Sequence, residues 1–155
     1  MSANYVFRCR MCHQVIGKPY ISLDRRTERW SMGLHDGKVM PVVTVTAAQE
    51  LFRYDSPDCR KIHEPQVIAE LQIKTTYPDS SGSVVPCSRC GSSVDRSLPH
   101  VSYGYLETEL DAQGMVVTVI DETELAVLCR DCEEPDGPQD EAAAVASDQQ
   151  ERTRA

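Results

Sequence analysis

Cys9-Arg10-Met11-Cys12, Cys87-Ser88-Arg89-Cys90 and Cys129-Arg130-Asp131-Cys132 place six of the chain's seven cysteines in C-x2-C pairs. The seventh, Cys59, stands in Ser56-Pro57-Asp58-Cys59-Arg60-Lys61-Ile62-His63, one helical turn before a histidine. Read in chain order, these residues form two sets of four. Cys9, Cys12, Cys59 and His63 make one, and Cys87, Cys90, Cys129 and Cys132 make the other. A C-x2-C turn lets two thiolates reach one tetrahedral Zn2+ at ~2.3 Å while the backbone folds over the sulfurs. Arg8, Arg10, Arg89 and Arg130 lie in or beside the pairs and ease the negative charge on sulfur. Thiolate sites of this kind favour zinc, with iron the chief competitor. Four protein ligands leave no open position, so each set reads as structural, and two zinc ions per chain are expected. Asp58 and His13 are the alternatives to His63 at the fourth place of the first set. The odd cysteine count argues against a disulfide framework, as does a start, MSANYVFRCRMC, without the apolar core of a signal peptide.

The blocks between the cysteines repeat. CRMC, KPYISLDRRTE, VVTVTAAQEL and DCRKIH occur in one half, and CSRC, LPHVSYGYLETE, VVTVIDETEL and LCRDC follow in the other. Pro19 answers to Pro99, Ser22 to Ser102, Val42–Val45 to Val116–Val119, and Glu50-Leu51 to Glu124-Leu125. This divergent duplication is independent of the ligand count and supports the same two sets.

Between the pairs the composition favours strands. Tyr20–Leu23 and Val101–Tyr105 mix β-branched and aromatic residues, and Val42–Thr46 and Met115–Ile120 are rich in valine and threonine. Asp36-Gly37 and Gln113-Gly114 supply turns. Ser56-Pro57 reads as a helix N-cap with proline at the first helical position, which puts Cys59 and His63 on one face. Pro65 is expected to end or kink that helix, and Gln66–Lys74 to form a short packed one. The expected fold is small, α+β and β-rich. It has tandem duplicated zinc-binding units, each an antiparallel hairpin or small sheet with a zinc knuckle, and a short helix after the first. The expected domains are residues 1–74 and 87–132, joined by a linker at 75–86 and followed by a disordered acidic tail at 133–155.

The knuckle, hairpin and ligand-bearing helix of residues 9–63 resemble a treble-clef zinc finger. Residues 87–132 resemble a zinc ribbon or a shortened treble clef. These superfamilies serve many functions, so the resemblance implies a metal and a scaffold but no activity.

Lys plus Arg total 16 against 24 Asp plus Glu, a net charge of −8. Residues 1–74 hold 11 basic and 8 acidic residues, whereas residues 75–155 hold 5 and 16. That balance opposes a general nucleic-acid or anionic-membrane binder. Arg25-Arg26-Thr27-Glu28-Arg29-Trp30 is the one basic cluster with an aromatic neighbour, able to grip phosphate and stack a base. The alternative is a strand whose arginines pair with acids of the other half, such as Glu107, Glu109 and Asp111. His35, in a turn, is expected in solvent, and His100 in packing. The chain has no G-x-S-x-G, H-E-x-x-H or phosphate-binding glycine loop, and no cysteine is left over as a nucleophile. The expectation is a non-enzymatic, cytoplasmic two-zinc protein, a protein–protein interaction module acting as regulator or adaptor. A nucleic-acid-binding regulator and a thiol–disulfide redox protein are the alternatives.

Overall fold

The computed structural model describes residues 8–16, 20–79, 81–110 and 116–135. The expected Gln113-Gly114 turn and residues 136–155 of the expected tail lie outside these. Two long hairpins dominate the fold. β1 (Tyr20–His35) and β2 (Lys38–Tyr54) form one, and β5 (His100–Leu110) and β6 (Val116–Leu128) form the other. They lie side by side in one antiparallel sheet of order β2-β1-β5-β6. β3 (Val84–Pro86) and β4 (Ser93–Asp95) make a small second sheet around the Cys87 knuckle. The strands run well beyond the segments expected from composition.

Local chemistry explains the ends of the elements. Asp36 and Gly37 both have positive φ, at 52° and 77°, as a two-residue type I′ hairpin turn requires. Helix α1 (Pro57–Glu70) starts where Ser56 Oγ accepts the Cys59 N–H at 3.2 Å, with proline just inside. Pro65 does not end it: one helix runs through Pro65 to Glu70 and takes in the first half of the expected second helix. The proline removes one backbone donor, but packing of Val67 against the core holds the helix on both sides of it.

The centre of the sheet is a regular ladder between β1 and β5. It pairs Tyr20 with Thr108 at one end, Glu28 with His100 at the other, and Asp24 with Gly104 in the middle. The first hairpin carries two irregularities, at Leu23/Asp24 and Thr27/Glu28. The second carries three: those at Tyr103/Gly104 and Glu107/Thr108 share the spacing of the first hairpin's pair, and the third is at Glu109/Leu110. The expected linker is partly built into the fold. Lys74 and Thr75 donate to Ser88 O, Tyr77 donates to Leu125 O, and Val84–Pro86 form β3.

Burial concentrates at the base of the sheet. Tyr20–Leu23, Val101–Tyr105 and Leu125–Leu128 are each buried without interruption, so both faces are covered there. Val67 and Ile73 pack into the same core as Leu23, Tyr54, Val101 and Leu128, and so do the thiols of Cys9 and Cys87. The distal part of the β1–β2 hairpin is different. From Met32 through Val45 it projects as an arm whose large apolar side chains are exposed.

Candidate metal centres

Each knuckle is a tight turn closed by main-chain hydrogen bonds. Cys87 N donates to Ser92 O at 2.6 Å, and Gly91 N donates back to Cys87 O at 2.9 Å. Gly91 has φ 83°, a conformation that glycine adopts without steric cost. In the first knuckle Cys9 N donates to Gln14 O at 2.9 Å and His13 N to Cys9 O at 3.1 Å. His13 takes the positive-φ position there, at 63°, with its side chain in solvent.

The four sulfurs of Cys87, Cys90, Cys129 and Cys132 all lie within 4.8 Å of one another. Cys87 and Cys132 are 3.7 Å apart, and Cys90 and Cys129 are 3.6 Å apart. Four sulfurs ~2.3 Å from a tetrahedral ion stand about 3.8 Å from one another, so these residues fit such an ion. The backbone is arranged for thiolates. Cys87 Sγ accepts N–H groups of Arg89, Cys90 and Cys129 at 3.4, 3.5 and 3.4 Å. Ser92 N lies 3.5 Å from Cys90 Sγ.

At the first centre the sulfurs of Cys9, Cys12 and Cys59 come together in the same way. The Met11 N–H lies 3.4 Å from Cys9 Sγ. Among the described residues none of His63, Asp58 and His13 joins these three thiols. Asp58 is exposed. His63 is 1% exposed and sits one turn beyond Cys59. Its Nδ1 is 2.6 Å from Tyr54 Oη, Phe52 meets its ring edge-on, and its Nε2 has no hydrogen-bond partner. Burial lowers its pKa and keeps the imidazole neutral, the form that ligates a metal.

The thiols divide by environment. Burial opposes the charge on Cys9, but main-chain N–H groups of Cys12, Asp55 and Met11 outweigh it and bring its pKa down to about 7. Hydrogen bonds from the Ser92 side chain and backbone bring Cys90 down to about 6. Burial together with the crowd of neighbouring sulfurs pushes Cys129 up and Cys132 up to about 12. Four thiols this close cannot all ionise without a cation between them. A metal bound at neutral pH must therefore displace the protons of at least Cys129 and Cys132. Affinity at the second centre should rise at least about a hundredfold per pH unit between pH 6.5 and 8, because at least two protons are released, and more if the metal-free chain is unfolded with its thiols protonated. Titration of metal into apo-protein with a pH indicator checks this, and a release below one proton per site contradicts it.

Arg89 ties the second knuckle to the helix. Its guanidinium donates to Leu71 O at 2.6 and 3.0 Å and to Cys132 O at 2.7 Å. The C-terminal end of α1 has no basic residue of its own, and Arg89 places a cation there. A second arginine, Arg96, is fully buried. It pairs with Glu124 at 2.8 Å and lies 4.2 Å over the Trp30 ring. Glu124 also accepts from Ser102 Oγ at 2.9 Å. Beside this network His100 Nε2 lies 3.3 Å from Glu28, and His100 Nδ1 meets Leu98 O. The sequence marks Arg89 only as a neighbour of the sulfurs, not as a partner of the Leu71 and Cys132 carbonyls, and nothing local marks Arg96, because their partners are distant in the chain.

The basic cluster faces acids of the other half of the chain; of the acids expected there, Asp111 lies outside the described residues. Arg25 meets Glu133 at 3.3 Å and the Glu134 carbonyl at 2.8 Å. Arg26 meets Glu122 at 2.7 Å and Glu28 at 3.3 Å. Arg96 covers one face of the half-buried Trp30 ring. His35 is in solvent near Asp36. Among the described residues no helix is long and apolar enough to cross a membrane.

The fold and the two thiol clusters thus define a small β-rich protein with two groups of cysteines able to hold metal ions. Comparison with protein-family models, with curated proteins and with solved structures finds no match.

Proposed function

We propose that this is a non-enzymatic, cytoplasmic two-zinc protein, a protein–protein interaction module of the regulator or adaptor kind. In this reading zinc occupies both centres and is structural. Cys9, Cys12 and Cys59 hold the first ion, and His63 closes it by turning its orphaned Nε2 toward the sulfurs while Nδ1–H donates to Tyr54. Such an outer partner fixes the tautomer of a ligating histidine. Cys87, Cys90, Cys129 and Cys132 hold the second. The order knuckle, hairpin, helix supports a treble-clef-like first unit, and knuckle, hairpin, knuckle a ribbon-like second. The β1–β5 ladder, centred on one residue pair, and the matching irregularities of the two hairpins support an internal duplication.

The observation that carries the interaction reading is the arm. Its register puts Trp30, Met32 and Leu34 on the same face as Val39, Pro41, Val43 and Val45. Met32, Leu34 and Val39 are 65%, 76% and 66% exposed. A soluble chain seldom leaves such a contiguous apolar stripe uncovered unless something docks on it. The zinc centres brace the base of the sheet, and the rigid arm presents the stripe. Nucleic acid is the weaker reading because Arg25 and Arg26 already have acidic partners within the chain.

Zinc-loaded protein immobilised in nuclease-treated lysate should capture a discrete partner, and Leu34→Lys should abolish capture without changing the melting temperature. Capture that survives Leu34→Lys, or that disappears with nuclease, overturns this reading.

A further inference from the structure

Helix α1 is weak by its own sequence. Pro65 removes one of its backbone donors, its last turn has no basic residue, and of its side chains His63 and Val67 alone are buried. A helix of 14 residues built this way is marginal unless its ends are held. Both ends are held, each by a different thiol cluster. Cys59 lies in the first turn and joins Cys9 and Cys12. At the far end the carbonyl of the C-cap residue Leu71 accepts two N–H groups of Arg89. Arg89 stands between Cys87 and Cys90, and its other contacts go to ligands of the second centre. Its main-chain N–H lies 3.4 Å from Cys87 Sγ, and its remaining guanidinium nitrogen donates to the Cys132 carbonyl at 2.7 Å. One side chain thus ties the end of α1 to both cysteine pairs of that centre. The chain leaving the helix is fixed to the same turn, with Lys74 and Thr75 N–H on Ser88 O at 2.7 and 3.0 Å.

We propose that Arg89 couples the two metal centres through α1, so that an ion at either centre raises the affinity of the other. This deepens the two-metal reading above and rests on it. A metal at the second centre holds Cys132 against Cys87. That keeps the Cys132 carbonyl in place and aims the Arg89 fork at Leu71, where a cation also suits the helix dipole. The capped helix then presents Cys59 and His63 to the first centre already ordered, and an ordered site costs less to fill. Without that metal the two cysteine pairs are free to part and the fork loses its Cys132 anchor. The first ion must then order the helix by itself. Linkage makes the effect reciprocal: an ion on Cys59 steadies α1, and the steadied Leu71 carbonyl holds Arg89 and its knuckle. The shared core joins the two halves in folding, and Arg89 adds a coupling that depends on a single side chain.

The test titrates the full metal-free chain with NMR-active cadmium, a soft ion that thiolates bind and whose signal shifts with the number of sulfur ligands. Separate signals report the Cys59 and Cys87 centres, and native mass spectrometry counts chains with no, one or two ions. Together they give a coupling constant, the product of doubly loaded and empty chains over the product of the two singly loaded forms. It is unity for independent sites however unequal, so a merely local weakening of the second centre leaves it unmoved. In the wild type it should exceed unity by about tenfold or more, as is usual for linked sites. Arg89→Gln should lower it by at least about threefold. The milder Arg89→Lys should do the same, because a lysine keeps the charge but cannot fork between two carbonyls. A wild-type value of unity overturns the proposal. So does a high value that both variants keep, which assigns the coupling to the shared core. If cadmium fills one centre only in the wild type, the two-metal reading itself fails, and the coupling with it.

Discussion

Chelation of the metal, or Cys87→Ser alone, should abolish the cooperative melt of both hairpins in one transition. Untreated protein should carry two zinc ions per chain by elemental analysis. The size of the effect follows from the balance of terms. Domains of this length are stable by about 5–15 kcal/mol, and structural zinc in small sites contributes about 10–16 kcal/mol at neutral pH. Losing one ion therefore removes as much as the whole margin. Cys87 should be the most sensitive thiol, because it is buried, touches the core and accepts three main-chain N–H groups. The damage should not stay in the second half. The two hairpins share the β1–β5 ladder and one core, so they have no separate interior to fall back on. Circular dichroism and two-dimensional NMR check this. Retention of full dispersion in the first hairpin after Cys87→Ser would mean that the halves fold independently.

Arg96→Ala should destabilise the protein by about 3–5 kcal/mol at pH 7, the cost of leaving a buried charge unpaired. Arg96 is fully buried between Glu124 and the Trp30 ring, and it also donates to Asp79 O at 3.3 Å. Its removal strands the Glu124 carboxylate. Burial already raises the pKa of Glu124 in the native protein, and Arg96 is the first of the groups opposing that rise. Without Arg96 the folded-state pKa should climb further. A carboxyl whose folded pKa lies above its unfolded value favours the fold when protonated and loses that contribution as pH rises through the folded pKa. The deficit of Arg96→Ala should therefore shrink as pH falls from 7 toward 5, and Arg96→Ala with Glu124→Gln should recover much of it at pH 7. Denaturant titrations at the two pH values decide this. A deficit below 1 kcal/mol, or one that grows on acidification, contradicts the buried pair.

The cysteines that meet in the two thiol clusters were legible in the chain, and so was the local punctuation. C-x2-C is a short-range geometry: the turn that closes on Cys9 or Cys87 is made by residues within the same few positions, so spacing is enough to read it. The Ser56-Pro57 cap and the Asp36-Gly37 turn are equally local, since each depends on the φ preferences and hydrogen bonds of two or three neighbours. The β-branched and aromatic runs between the cysteines likewise foretold strands there. What could not be read is how the hairpins combine. Separate units were expected, but β1 and β5 pair with each other, because pairing the two central edges buries Leu23, Val101 and Tyr105 in one shared interior. The length of the strands, the passage of α1 through Pro65, and the acids that meet Arg25, Arg26 and Arg96 depend on contacts between distant parts of the chain. The same holds at His63. Helical spacing puts it on the face of Cys59, but Tyr54 and Phe52 set where its ring lies. Spacing along the chain says which residues can meet, whereas desolvation of the shared core determines which of them do.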